Sequence, residues 1–451
     1  MSAVLHRSLA TPPPIAVAGD GCYLVDAQGK RYLDASGGAA VSSLGHSHPS
    51  VIAAIQQQVA KLPYAHTSFF SNEPAERLAA MLIDRAPDGF GSGRVAFVGS
   101  GSEAMEVALK LTRQHFVERG EPARSHFIAR RMSYHGNTLG ALSVGGHFQR
   151  RAMYAPMLMP TTHVSPCYAY RFREAGESDV AYGRRVADEL DAEILRIGPD
   201  RVAAFVAEPV VGATLGCVPA VEGYFARIRE ICDRHGVLMI ADEVMCGMGR
   251  TGSLFAIDDE GVCPDIITLG KGLGAGYMPI GATMASARVV APLQQGSRAL
   301  ANGHTYMSHP VACAGAVAVL TAMQEGRLLD NVRTAGARLR SALEQRFGDH
   351  PNVGDIRGRG LFQALELVED RASKRPLPRV LRIAERLRTA ALDHGLLCYP
   401  SSGTADGERG DHVLLAPPYI VDNRHVDELV DRLDNALQSV LKEARCFAPV
   451  Q

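Results

Sequence analysis

Two rhythms of apolar and polar residues alternate along the chain. GCYLVDAQGKRYLDASGG, residues 21–38, alternates and turns at Gln28-Gly29, which predicts a hairpin. From about residue 50 the period lengthens to that of a helix, in HPSVIAAIQQQVAKL and then EPAERLAAMLIDRAP. In the second, Leu78, Met81 and Leu82 share one face, and Asn72 is placed to cap the helix ahead of Pro74. Short apolar runs then alternate with helical ones. RVAFVGS precedes EAMEVALKLTRQHF, RVAAFVAEPV precedes GYFARIREICDRHG, and VLMIADEV and PDIITLGKG follow. Strands that alternate with helices in this way predict a largely parallel α/β sheet covered on both faces.

Beyond about residue 326 amphipathic helices dominate, around the strand-like GLFQALEL. The expected organisation is a large domain over residues 61–325 and a smaller α+β domain over 326–451, completed by the N-terminal segment 1–60. Lys plus Arg, 47, nearly balances Asp plus Glu, 48, and no charged tail stands out, so neither nucleic acid nor a membrane surface is an expected partner. HPVACAGAVAVLTAM is broken by His309 and Pro310 and reads as a buried helix rather than a membrane span. Nine scattered cysteines without a CxxC pair predict neither a disulfide framework nor a metal site, and fit a cytoplasmic protein.

Ligands of open α/β sheets bind beyond the carboxyl ends of the strands, and here four such ends carry unusual residues. After RVAFV comes GSGSEA, Gly99 to Ala104, a glycine-rich turn into a helix whose free amides and hydroxyls suit a phosphate; read blandly, it is a turn capped by Ser102. Glu208 follows RVAAFVA and could equally cap a neighbouring loop. Asp242 ends VLMIAD and must meet either a cationic partner or a ligand that needs an anion, because an unpaired buried carboxylate costs several kcal/mol, on the order of a lost ion-pair partner. Alternation turns Glu243 to the opposite face, towards structure. Lys271, about thirty residues further on, sits in a tight glycine loop where poor solvation makes an amine nucleophilic. A phosphate cup, a carboxylate and an amine at strand ends are the set that pyridoxal 5′-phosphate (PLP) requires.

The ordered set LGHSHP, GSGSEA, SYHGNTLGALS, AEPVVGATLG, ADEVMCGMGRTG, PDIITLGKGLGAGYMPIGA, NGHTYMSHPVACA and IRGRGLF resembles the class III, or omega-amino-acid, aminotransferases of PLP fold type I. The resemblance implies Lys271 as the Schiff-base lysine and proton-shuttling base, with Asp242 as partner of the pyridine nitrogen. Ser100, Gly101 and Ser102 would surround the phosphate, Tyr134 would stack on the ring, and Val244 would pack on its other face. His135 would serve the geometry, and Glu208 would lie near the substrate entrance. The resemblance also implies a homodimer, or a tetramer made of two such dimers, in which Thr305 reaches the neighbouring subunit's phosphate.

In several branches of that family an arginine follows the HG of this motif and clamps a distal carboxylate; here the position is Asn137. The amine–pyruvate branch, which looks similar in YHGNT, uses instead a mobile arginine ahead of a PP segment. Arg409, in GTADGERGDHVLLAPPYIV, is the nearest candidate although offset, and Tyr64 with Phe69 or Phe70 is expected at the pocket rim. The implied activity is ping-pong transfer of an amino group from an amine or omega-amino acid to pyruvate or 2-oxoglutarate. Racemase, epimerase, decarboxylase or lyase chemistry on the same scaffold is an open alternative, and a silent PLP-fold binding protein a further one.

Overall fold

The computed structural model describes residues 2–447, with side chains through Lys442, so that Cys446 lies outside the described side chains. Its centre is a seven-stranded sheet. The strands are β1 (Arg94–Val98), β2 (His126–Arg130), β3 (Thr161–Val164), β4 (Val202–Ala207), β5 (Leu238–Asp242), β6 (Ile266–Leu269) and β7 (Gly281–Ala285). Their order across the sheet is β1-β7-β6-β5-β4-β2-β3. Strands β6, β5, β4, β2 and β3 run parallel, whereas β7 is antiparallel to both β6 and β1. The sequence pattern misses β7. Its residues, GATMA, are small and carry no β-branched run beyond one threonine, so only the pairing of Gly281 with Val98 and Ala282 with Leu269 defines it.

Every residue of β4, β5 and β6 is buried, which explains why these strands read as continuous apolar runs rather than alternations. Two helices matter for the site. α1 (Gly101–Glu118) buries Met105, Ala108 and Leu109, and α3 (Tyr224–His235) buries Phe225, Ile228 and Ile231. Each of the larger of these side chains, fully buried, contributes about 1.5–3 kcal/mol. Gly236 stops α3 in a left-handed conformation, φ 65°, which a glycine reaches without a Cβ clash. The outcome is a rigid sheet whose parallel strands all end on one edge.

The expected helix over Glu73–Ile83 is present, and the Asn72 side chain accepts a hydrogen bond from the Ala75 amide at 3.1 Å. The expected hairpin is also present, as Tyr23–Asp26 and Arg31–Asp34 turning at Gly29. Its second strand pairs with Leu396–Leu397, and Cys22, Leu33 and Leu44 share a core with Leu339, Phe347, Val413 and Leu437. A further antiparallel sheet joins Val353–Arg359, Phe362–Leu367, Asp411–Leu415 and Tyr399–Ser402. Among the described residues no helix is long and apolar enough to cross a membrane.

Candidate active site

Because β6, β5, β4 and β2 are neighbours and parallel, the residues leaving their carboxyl ends are brought side by side. They are Lys271 after β6, Asp242 at the end of β5, Glu208 after β4 and the Tyr134-His135 pair after β2. The glycine loop after β6 folds as a single turn, Lys271–Leu273, and Lys271 itself takes a left-handed conformation, φ 43°. A side chain pays roughly 1–2 kcal/mol for that conformation, and the surrounding packing holds it there. Some of Lys271 remains open at the mouth of the cleft. So much protein surrounds the amine that burial pushes its pKa down to about 8, against the opposing pull of Asp242.

Asp242 is nearly inaccessible, and both of its oxygens are engaged. Oδ2 lies 2.7 Å from His135 Nδ1, and Oδ1 accepts the Val244 amide at 3.0 Å. The sequence left a cation or a ligand as its partner; the structure supplies a histidine. Burial opposes a charge on His135, yet Glu208 and Asp242 together hold its pKa above the ordinary imidazole value. Glu208 in turn accepts the Tyr134 amide at 2.9 Å, and the fully buried Arg130 donates to its carbonyl and lies 3.4 Å from its carboxylate. Arg130, the last residue of β2, was not singled out in the sequence; an arginine ending a buried apolar strand was the available signal. Glu243 faces away as expected. Its carboxylate accepts the Ala256 and Ile257 amides at 2.8 and 2.7 Å, and burial raises its pKa to about 8.

The turn after β1 forms a cup. Ser100 Oγ accepts the Glu103 amide at 3.2 Å, so the cap of α1 is Ser100 and not Ser102, as the bland reading had it. Ser102 Oγ accepts the Asn137 amide at 2.9 Å, tying the cup to the loop that carries Tyr134 and His135. The Gly101 and Ser102 amides begin α1, where amides have no partner within the helix and attract anions. A Cβ on Gly101 would meet Val244 Cγ1 at 2.6 Å. One on Gly136 would meet Ser102 Oγ at 2.8 Å. Gly101→Ala should therefore lose about 1–3 kcal/mol by overpacking and bind cofactor less tightly. Thermal unfolding and cofactor titration read the two effects, and an unchanged variant would mean that Val244 yields freely.

Ser100, Gly101, Ser102, Tyr134, Val244 and Lys271 are all half-buried, while His135, Glu208 and Asp242 lie buried behind them. The remaining three candidates sit elsewhere. The Tyr64 hydroxyl donates to the Thr305 carbonyl at 2.8 Å, and Thr305 shares with Gly99 and Glu103 a cavity of about 560 Å³. Arg409 is exposed on the loop 403–410, its Nε 2.6 Å from Asp406 Oδ2. Two further buried arginines lie outside this set: Arg357 pairs with Glu366 on the neighbouring strand at 2.8 Å. Arg250 instead donates to the Leu361 and Pro417 carbonyls at 3.2 and 2.5 Å.

The donor set fits PLP. It offers two helix-start amides and a hydroxyl for a phosphate, and a buried carboxylate oriented by a histidine for a protonated ring nitrogen. A tyrosine follows β2, a valine that packs on Gly101 follows β5, and after β6 stands an amine of lowered basicity. Fold and site together define a PLP-dependent transferase of fold type I. Comparison with known proteins gives the family: the Aminotransferase class-III model matches residues 6–437, and the chain belongs to the class III aminotransferases. An uncharacterized aminotransferase of Schizosaccharomyces pombe is 47% identical, over 95% of this chain and 93% of its own. The omega transaminase of Pseudomonas jessenii in complex with PMP superposes with a TM-score of 0.89 at 36% identity, covering 97% of this chain and 94% of the other. A PMP-bound aminotransferase from Vibrio fluvialis gives 0.89 at 33% identity, covering 96% and 93%. The protein is an aminotransferase whose cofactor is pyridoxal 5′-phosphate.

Proposed function

We propose that the protein transfers an amino group from a primary amine or omega-amino acid to a 2-oxo acid such as pyruvate or 2-oxoglutarate, in a ping-pong cycle. The observation that carries this reading is the Lys271 amine, with a pKa of about 8, beside the Asp242–His135 pair on the neighbouring strand. PLP, when bound, supplies a ring that accepts the electron pair of the bond broken at the substrate's amino carbon.

The chain's own residues do the rest. Gly101 and Ser102 would hold the phosphate by amide and hydroxyl, and Tyr134 and Val244 would pack against the ring. Asp242, an anion kept in place by His135 and the Val244 amide, holds a proton at the pyridine nitrogen. Lys271 Nζ, with a substantial neutral fraction at physiological pH, takes the proton from the donor's amino carbon and can return it elsewhere. Glu208, anchored by Arg130 and the Tyr134 amide, keeps the tyrosine loop in register.

Exposed aromatic side chains at Phe69, Phe70 and Tyr306, close in sequence to Tyr64 and Thr305, support a homodimer in which Thr305 serves the partner's phosphate site. Scattered cysteines without a pairing motif support a cytoplasmic location.

The test is a half-reaction screen. Adding an amine donor to purified holoenzyme should bleach the cofactor's visible band, and a 2-oxo acid should restore it. Equilibration of amino-acid enantiomers without any acceptor would show a racemase instead, and release of carbon dioxide a decarboxylase. In cofactor-free protein, the rate at which Lys271 reacts with a small aldehyde should rise about tenfold per pH unit and level off above a pKa of about 8. The sign follows from the shift: burial disfavours the ammonium, so the reactive neutral amine persists to lower pH than in an ordinary lysine. A midpoint at the ordinary lysine value of about 10.4 would contradict the geometry.

A further inference from the structure

Resting on the aminotransferase reading, one question stays open: what holds the substrate's carboxylate? Asn137 is exposed and uncharged, and the Arg409 guanidinium is engaged by Asp406 within its own loop. A second cation acts on the reacting amine. α2 (Phe148–Ala152) carries Arg150, whose Cζ lies 4.5 Å from the centroid of the Tyr134 ring. Arg150 is half-buried, and among the described residues it has no ion pair and no hydrogen-bonding partner.

A guanidinium held over an aromatic ring is anchored by about 0.5–2 kcal/mol, and its N–H donors lie in its plane, so they remain free for a carboxylate. Arg151, its neighbour, is differently engaged: it donates to the Gly145 carbonyl at 2.5 Å and lies 3.2 Å from His163 Nε2. The positive charge of Arg150 also reaches Lys271, where it works with burial to keep the amine's basicity low. In a 2-oxo acid the carboxylate is bonded directly to the carbonyl carbon that must meet Lys271, and Arg150 stands over Tyr134, the neighbour of the His135 that pairs with Asp242. The helix also borders the loop of Arg409: a Cβ on Gly407 would approach Phe148 Cβ to 3.8 Å.

The geometry points to Arg150 as the residue that binds the carboxylate of the 2-oxo acid acceptor, held ready for it by the ring of Tyr134. The chain thereby supplies from α2 a guanidinium that position 137 lacks. Binding adds to the cation–π contact a bidentate, charge-assisted pair, roughly twice as strong per bond as a neutral hydrogen bond.

The experiment compares holoenzyme carrying Arg150→Gln with the unaltered chain in the second half-reaction, using pyruvate and propanal, which share three carbons but differ in the carboxylate. The expected result is a loss in kcat/KM for pyruvate of about 100-fold, carried mainly by KM, with propanal changed less than threefold. Arg150→Lys should recover part of the pyruvate rate, since it restores the charge without the fork. Propanoate, a non-reacting carboxylate, should lose affinity in a calorimetric titration of Arg150→Gln, while the dissociation constant for PLP stays within twofold. Equal losses for pyruvate and propanal would mean that Arg150 merely supports Tyr134 and would overturn the assignment. So would a pyruvate-selective loss in Arg409→Ala with none in Arg150→Gln. If the unaltered chain reacts with no 2-oxo acid at all, the aminotransferase reading itself fails, and this assignment with it.

Discussion

Replacing Lys271 with alanine should lower turnover at least about 10⁴-fold, the upper range for a positioned acid–base group, because the variant also loses the amine that joins the cofactor. The loss should fall on kcat rather than on cofactor affinity. The cup at Gly101 and Ser102, the Asp242 carboxylate and the walls at Tyr134 and Val244 are untouched by the change. Titration with PLP should therefore still saturate, and only the covalent attachment should vanish. A small primary amine added to the variant should recover part of the rate, since the missing group is an amine and the site is otherwise intact. Turnover within tenfold of the unaltered chain would contradict the role given to Lys271.

Asp242→Asn should reduce kcat by about 10²–10³-fold, the scale of removing one preorganised electrostatic contact from a reacting centre. The substitution keeps the shape and can still accept the Val244 amide, but it removes the anion that faces His135 Nδ1. A ring nitrogen beside a neutral amide loses its proton, and with it the ability to accept electrons. A second consequence separates this electrostatic role from a structural one. Asp242 pulls the Lys271 pKa upward against burial, so in Asp242→Asn the aldehyde-reactivity midpoint should move below about 8. An asparagine variant with full turnover and an unmoved midpoint would rule out both effects.

What could be read in the sequence followed from local patterns. The apolar strands ending in Asp242 and before Lys271 gave both residues an address, because a parallel sheet carries its ligands on one edge. Alternation also turned Glu243 correctly towards backbone amides. Contacts across long stretches of chain were not legible. Nothing near Asp242 announces His135, 107 residues earlier, as its partner. Nothing local places Arg130 beneath Glu208, 78 residues away. β7 escaped notice because Gly281 and its small neighbours are chosen for closeness rather than for strand propensity: a Cβ at Gly281 would stand 2.3 Å from the Ser100 carbonyl. The anchoring of Arg250 is illegible for the same reason, since carbonyl partners at Leu361 and Pro417 leave no charge pattern in the sequence. Arg409 pairs with Asp406, three residues away, a local contact that the sequence around it could have shown.

The central claim is that the amine of Lys271 is where PLP attaches. Reduction of the holoenzyme with borohydride, followed by digestion and mass spectrometry of the peptides, tests it directly. The account predicts a pyridoxyl mass on the peptide that contains Lys271 and on no other. An adduct on a different lysine, or reduction that leaves every peptide unmodified, would contradict it.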